Sequence, residues 1–180
     1  VAGRVSDKMI RRHPHVFAEA TAKDGEAVRQ NWEAIKQAER SEAANGSRLS
    51  VLDGIATTLP AMVRAAKLQK RAARVGFDWP DMHSVIDKMR EELDELTEVV
   101  THTPDDKARL EDEIGDILFV AANLARKAGI DPESAMLGCN RKFERRFRYI
   151  EDQLEQQNSS VDEASLDHME QLWQKAKTSA

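Results

Sequence analysis

Two acidic stretches repeat one spacing. Glu91-Glu92-Leu93-Asp94-Glu95 sets Glu92 and Glu95 three apart, and Glu111-Asp112-Glu113-Ile114-Gly115-Asp116 does the same with Glu113 and Asp116. Residues i and i+3 share one side of a helix. At about 100° per residue, Glu92 falls inside the arc of Val99 and Leu96, with Glu95 just off its edge. Glu113 falls between Val120 and Leu124, with Asp116 on the same flank. A carboxylate drawn to the edge of a core needs a partner. Four converging carboxylates repel one another, and a divalent cation resolves that repulsion. An all-oxygen donor set favours Mg²⁺ or Mn²⁺ over zinc. The alternative is a pair of solvated acidic helices. That accounts for Glu91, Asp94, Glu98, Glu111 and Asp112, but not for Glu92 and Glu113. A di-iron carboxylate bundle uses Glu-x-x-His, and none of His13, His15, His83, His102 and His168 lies three residues after a Glu.

Basic and aromatic residues offer a counterpart. In residues 141–148, RKFERRFR, Phe143 and Phe147 are expected to point inward, so that Lys142 and Arg146, one turn apart, flank the core stripe. Bases bordering a metal site suit phosphate oxygens, Arg as a planar fork and Lys as a point charge. The competing reading is a basic face that pairs with the acidic helices. A second basic stretch, Arg64, Lys67, Lys70, Arg71 and Arg74, is surface or partner-facing. Trp79 and Trp173 are core residues or platforms for a base. The single cysteine, Cys139, excludes an internal disulfide and a cysteine zinc cluster. On a helix it reads as a small buried residue. No Ser-His-Asp or Cys-His order suggests itself.

The elements that would hold these groups are helices throughout. No segment alternates as a strand does. One helix is expected over residues 59–75, with Pro60 in its first turn and Gly76 just past its end. The next runs from after Trp79-Pro80 to about Val100, with Met82, Val85, Ile86, Met89, Leu93, Leu96 and Val100 on one face. Thr103-Pro104-Asp105-Asp106 reads as an N-cap, a first-position Pro and first-turn acids. That helix carries Leu110, Ile114, Ile117, Leu118, Ala121 and Leu124 and stops at Gly129. Asp131-Pro132-Glu133 opens another, with Met136, Phe143, Phe147, Ile150 and Leu154 as its stripe. Ser160-Val161-Asp162-Glu163 fits a capping box for a last helix bearing Leu166, Met169, Leu172 and Trp173. The fold class is an all-α bundle.

The chain has 180 residues, 41% hydrophobic and 33% charged, enough to bury a core without disulfides or a structural metal. No apolar run is long enough to span a membrane, and a net charge of −5 argues against a general nucleic-acid binder. No signal-peptide core is present, which points to the cytoplasm. Residues 37–50 are polar, contain Asn45-Gly46, and read as a flexible linker. A weak internal repeat relates residues 6–17 and 31–36 to residues 140–150 and 172–177. Each copy has a Lys, then an aliphatic or aromatic residue, then Arg-Arg, followed by a Trp-containing helix. The division expected is thus 1–36, the tail of an upstream domain of the same kind; 37–50, linker; and 51–180, a complete helical domain.

Taken together, these residues resemble the MazG family of all-α nucleoside triphosphate pyrophosphohydrolases, whose acidic pattern is Glu-x-x-Glu, a spacer, then Glu-x-x-Asp. Here the pattern is Glu92 to Glu95, a spacer, then Glu113 to Asp116. LQKRAARVGFDW, DKMREELDEL, LEDEIGDILFVAANLAR, NRKFERRF and the late LW match as well, over roughly residues 50–177. RVSDKMIRRHPHVF and NWEAIK look like the end of the first domain in two-domain members. The resemblance implies that Glu92, Glu95, Glu113 and Asp116 hold Mg²⁺, for which Mn²⁺ can substitute. It implies that Glu91 is a neighbouring acid or water-orienting base. Lys88, Arg109, Lys142 and Arg146 match positions that approach the triphosphate, and Trp173 matches one near the base. Arg109 stands where relatives often carry Lys. The implied reaction converts a nucleoside triphosphate to the monophosphate and pyrophosphate, in a homodimer. The reading from another class is a non-catalytic helical module whose acidic and basic helices pair across a dimer.

Overall fold

The computed structural model describes residue 10 and residues 50–178. The expected front domain and linker, the front copy of the repeat, Phe17, Trp32, His13 and His15 therefore lie outside the described residues, apart from residues 10 and 50. The chain divides into two units, residues 1–55 and 56–180, and the helices below belong to the second. In the first, Ser50 N–H donates to Asp53 Oδ2 at 2.8 Å, closing a turn.

Five α-helices follow: α1 (Ala61–Ala73), α2 (Met82–His102), α3 (Lys107–Lys127), α4 (Pro132–Gln156) and α5 (Leu166–Thr178). No strand occurs among the described residues. α2 and α3 form the main packed pair; α1 lies against α3, α5 against α4, and smaller contacts join α4 to α1 and α3.

The ends are set by local chemistry. Asp81 accepts from the Ser84 N–H and Asp131 from the Ser134 N–H, both at 2.8 Å, which satisfies donors that the first helical turn leaves free. Pro132 stands in the first turn of α4 as expected. α1 ends in a pair of reversed hydrogen bonds, Phe77 N–H to Ala72 O and Gly76 N–H to Ala73 O. This closure needs a left-handed residue, and Gly76 has φ +87°. The same closure ends α3 at Gly129 and α4 at Asn158.

Several expectations are corrected. α1 begins at Ala61 with Pro60 as its cap rather than inside it, and ends at Ala73. The cap of α3 is Asp106, not Thr103: the Asp106 carboxylate accepts from the Arg109 N–H, while the Thr103 N–H still bonds back to Val99 O and so finishes α2. Ser160 is no capping box. Its carbonyl accepts from Glu163 and Ala164 in a separate turn, and Ser165 starts α5 by accepting from the His168 N–H.

The apolar stripes are only half used. Val85 and Val99 of α2, Val120 and Ala122 of α3, and Ile150, Leu154, Leu172 and Ala176 of α4 and α5 are buried. Ile150, Leu154 and Leu172 form one cluster, with Phe147, Val161, Ala164, Met169 and Trp173 packed on it. Fully covering each leucine is worth about 1.5–3 kcal/mol. Leu93, Val100, Ile114 and Leu118 stay about half exposed, against expectation, because within the chain α2 and α3 turn other faces to each other, and Phe143 of α4 is likewise about half exposed. Cys139 is exposed rather than buried; the buried residues of α4 are Pro132, Ile150 and Leu154.

Candidate metal centre

α2 and α3 deliver the acids. Glu92 lies on the buried side of α2 between Val85 and Val99 and is itself only 4% exposed. Glu95 follows one turn on and is exposed, and Glu113 of α3 is half-buried. One carboxylate oxygen from each of Glu92, Glu95 and Glu113 lies within 4.8 Å of the others. The helical phase that brings Glu92 and Glu113 to the core edge therefore makes the two helices converge on one point.

Asp116 is one turn beyond Glu113, exposed, and outside that group of three. Partial desolvation, and next the charge of Glu92, hold its carboxyl above the ordinary range. Glu95 is shifted upward in the same sense by desolvation and then by Glu92. Both acids thus sense negative charge that the described residues do not balance. Lys88 is the nearby cation. Its ammonium is 2.6 Å from Glu91 Oε1 and 2.9 Å from Glu92 Oε1. Hydrogen bonding to Glu91 and then Glu92 raises the lysine well above its usual value. The second oxygen of Glu92, Oε2, is buried and has no hydrogen-bond partner among the described residues. A buried carboxylate oxygen left in that state is costly. An oxygen-only donor set that includes a carboxylate with an orphaned oxygen fits a hard divalent cation.

Among the basic and aromatic candidates, Arg146 and Trp173 meet. The Arg146 guanidinium lies 5.5 Å over the Trp173 ring, close enough for cation–π attraction. Phe143 packs tilted on Trp173, with centroids 5.4 Å apart, and stacks on Phe147. Phe143 is thus held by aromatic contacts while remaining exposed, not inward-pointing as expected. Lys142 is exposed one turn before Arg146. Arg109 is exposed in the first turn of α3, four residues before Glu113. Of the ten candidate residues, the chain therefore joins Glu92, Glu95 and Glu113, ties Lys88 to Glu91 and Glu92, and pairs Arg146 with Trp173.

Sequence reasoning missed a second ionic group. Asp78 receives Arg126 at 2.5 Å and Lys127 at 2.9 Å, and Lys127 also donates to the Trp79 carbonyl. Arg126 Nε donates to Asn123 Oδ1 at 2.8 Å. Gln69, buried in α1, donates to the Phe119 carbonyl at 2.7 Å and ties α1 to α3. Apart from Asn123 and Arg126, which are neighbours on α3, these partners stand 48 to 50 residues apart in sequence, and no local pattern announces them. Lys88 was within reach, because an i,i+3 and i,i+4 run of Lys, Glu and Glu is an ion-pair signal.

A sequence model of the MazG nucleotide pyrophosphohydrolase domain matches residues 81–150, which contain all four acids. The nucleoside triphosphate pyrophosphohydrolase of Escherichia coli is 44% identical over 98% of the chain and 66% of its own length. The nucleoside triphosphate pyrophosphohydrolase/pyrophosphatase MazG of Thermotoga maritima is 38% identical over 96% of the chain and 63% of its own. The uncharacterized protein YabN of Bacillus subtilis is 45% identical over 96% of the chain and 34% of its own. The chain thus spans a little under two thirds of the length of the first two. An all-α architecture, two acid-bearing helices that converge, and likeness running along nearly the whole chain lead to one assignment: the protein belongs to the MazG family.

Proposed function

We propose that the protein hydrolyses nucleoside triphosphates to the monophosphate and pyrophosphate in a Mg²⁺-dependent reaction, with Mn²⁺ as a substitute. The observation that carries this reading is the meeting of Glu92, Glu95 and Glu113, with a buried Glu92 oxygen that has no hydrogen-bond partner among the described residues, in a chain of this family. Glu92, Glu95 and Glu113 hold the cation, and Asp116, one turn on, completes the set. When bound, Mg²⁺ screens phosphate charge and stabilises the pyrophosphate leaving group. Glu91 takes the proton from the attacking water, whose oxygen bonds to the α-phosphorus as the bond to the α–β bridging oxygen breaks. Lys88 and Arg109, on the same two helices as the acids, together with Lys142 and Arg146, bind the phosphates. Trp173, already under a guanidinium, stacks on the base.

We further read the assembly as a homodimer. Leu93 and Val100 of α2 and Ile114 and Leu118 of α3 leave two apolar stripes about half exposed, and a second copy is what would cover them. Light scattering should give about twice the chain mass; a fully active monomer at nanomolar concentration would defeat this reading. Residues 1–36 as the tail of an upstream domain, and a cytoplasmic site of action, belong to the same proposal. Among the described residues no helix is long and apolar enough to cross a membrane. Nucleotides, rather than nucleic acid, suit the acidic chain.

Pyrophosphate release from the eight common NTPs and dNTPs, with and without Mg²⁺, tests the activity. Release only with Mg²⁺ is expected. A folded protein that releases none from any of them would leave the non-catalytic helical module as the reading.

A further inference from the structure

Lys88 stands where two demands on Glu92 collide. Its ammonium lies 2.9 Å from Glu92 Oε1 and 2.6 Å from Glu91 Oε1. Its side chain is 28% exposed, so it is neither locked in the core nor loose in solvent. Glu92 also meets Glu95 and Glu113, with one carboxylate oxygen of each within 4.8 Å of the others. Among the described residues, Glu91, Glu92, Glu95 and Glu113 thus crowd together with one nearby cation, and Glu92 Oε2 is without a partner. A hard divalent ion binds carboxylate oxygens at about 2.0–2.6 Å. An ammonium retained on the same carboxylate would then sit only a few ångströms from it, and at that range two cations repel strongly in a partly desolvated site.

We propose that Lys88 is the resident counter-ion of the metal-free centre, bridging Glu91 and Glu92, and that it gives up Glu92 when a divalent cation binds there. Lys88 sits on a long flexible stem, one helical turn from both acids, so its ammonium can leave without moving the backbone. Withdrawal has two consequences within the chain. Glu92 becomes free to ligate with either oxygen, and the ammonium becomes available to incoming phosphate oxygens. Cation binding therefore precedes productive phosphate binding by Lys88, and the lysine keeps the affinity for the bare cation lower than the acids alone would set. This inference rests on the metal-binding role proposed above and adds a competitor to it.

The test reads cation binding without nucleotide. Mn²⁺ is titrated calorimetrically into the full chain and into its Lys88→Met, Lys88→Arg and Glu92→Gln variants. Lys88→Met should bind Mn²⁺ about tenfold more tightly, and Lys88→Arg, which keeps the charge, should not show that gain. Equal or weaker binding by a folded Lys88→Met would overturn the proposal and leave the metal centre standing. If wild type and Glu92→Gln bind Mn²⁺ equally or not at all, the metal centre itself falls, and the proposal with it. Should Lys88→Met fail to fold, ¹⁵N-lysine NMR of the wild type gives the answer. The Lys88 ammonium signal, assigned by its loss in Lys88→Arg, should move on adding Mg²⁺. A signal that Mg²⁺ at saturating concentration leaves in place overturns the proposal.

Discussion

Two ionic groups involve the α2–α3 pair and are built to opposite rules. At Asp78, one carboxylate meets two cations, Arg126 and Lys127, and both oxygens are engaged. At Glu92, several carboxylates share one lysine, and a buried oxygen stays unpartnered. The titration of the acids follows. Burial alone would raise Asp78, but hydrogen bonds from Lys127 and Arg126 prevail and hold it below the ordinary range. Glu95 and Asp116 are raised, first by desolvation and then by Glu92. The first group is closed within the chain and serves the fold: it pins the segment before α2 to the end of α3. The second is left short of positive charge, which is how a chain prepares a place for a cation it does not itself supply.

The largest break in this contrast should come from Glu92→Gln or Glu113→Gln. Either should abolish Mg²⁺-dependent pyrophosphate release while the metal-free protein remains folded and melts no lower than wild type, since a repelling charge is removed. Activity above about a tenth of wild type, less than the roughly 1.4 kcal/mol of a tenfold rate change, would remove the metal assignment.

The pH dependence of metal-free stability sharpens the contrast, because the two groups have opposite signs. Glu95 and Asp116 bind protons more tightly in the folded chain than in the unfolded one. Their effect is therefore most favourable at low pH and is lost as pH rises from the ordinary carboxylate range through their raised folded values. Asp78 binds its proton less tightly when folded. Its contribution is present above the ordinary range and disappears as pH falls through its lowered value. Melting curves between pH 3 and 7 should show Glu95→Gln and Asp116→Asn flattening the decline on the upper side, and Asp78→Asn flattening the loss on the acid side. Identical pH profiles for all three variants would remove the distinction.

The smallest effect is expected from Asp78→Asn at neutral pH. A partly exposed pair is worth about 1 kcal/mol or less, so the melting temperature should fall by roughly 2–4 °C. Calorimetric Mn²⁺ affinity should stay unchanged. A large loss of Mn²⁺ binding would show that the two groups are coupled through α2 and α3.

The sequence by itself determined what depends on neighbours within a turn or two. Helical period placed Glu92 and Glu113 at the core edge. Asp131, three residues ahead of the Ser134 N–H, and Gly76 and Gly129, tolerant of positive φ, marked three helix ends. Where two local partners compete, that reasoning slipped: Thr103 and Asp106 both precede α3, and the carboxylate became the cap because Thr103 was already bonded to the preceding helix. The family likeness was also legible, because the order of short motifs along the chain needs no coordinates. Tertiary structure alone decided which part of each apolar stripe is covered. Leu93 and Leu118 read like Val99 and Val120 in one dimension, yet only the valines face a neighbouring helix. It also decided that Cys139 is exposed, that Gln69 ties α1 to α3, and that Asp78 meets Arg126 across 48 residues. The physical reason is common to all of these. Caps and faces follow from local backbone geometry, whereas burial and long-range ion pairs depend on which surfaces the helices bring together, a choice made by the packing of the whole bundle.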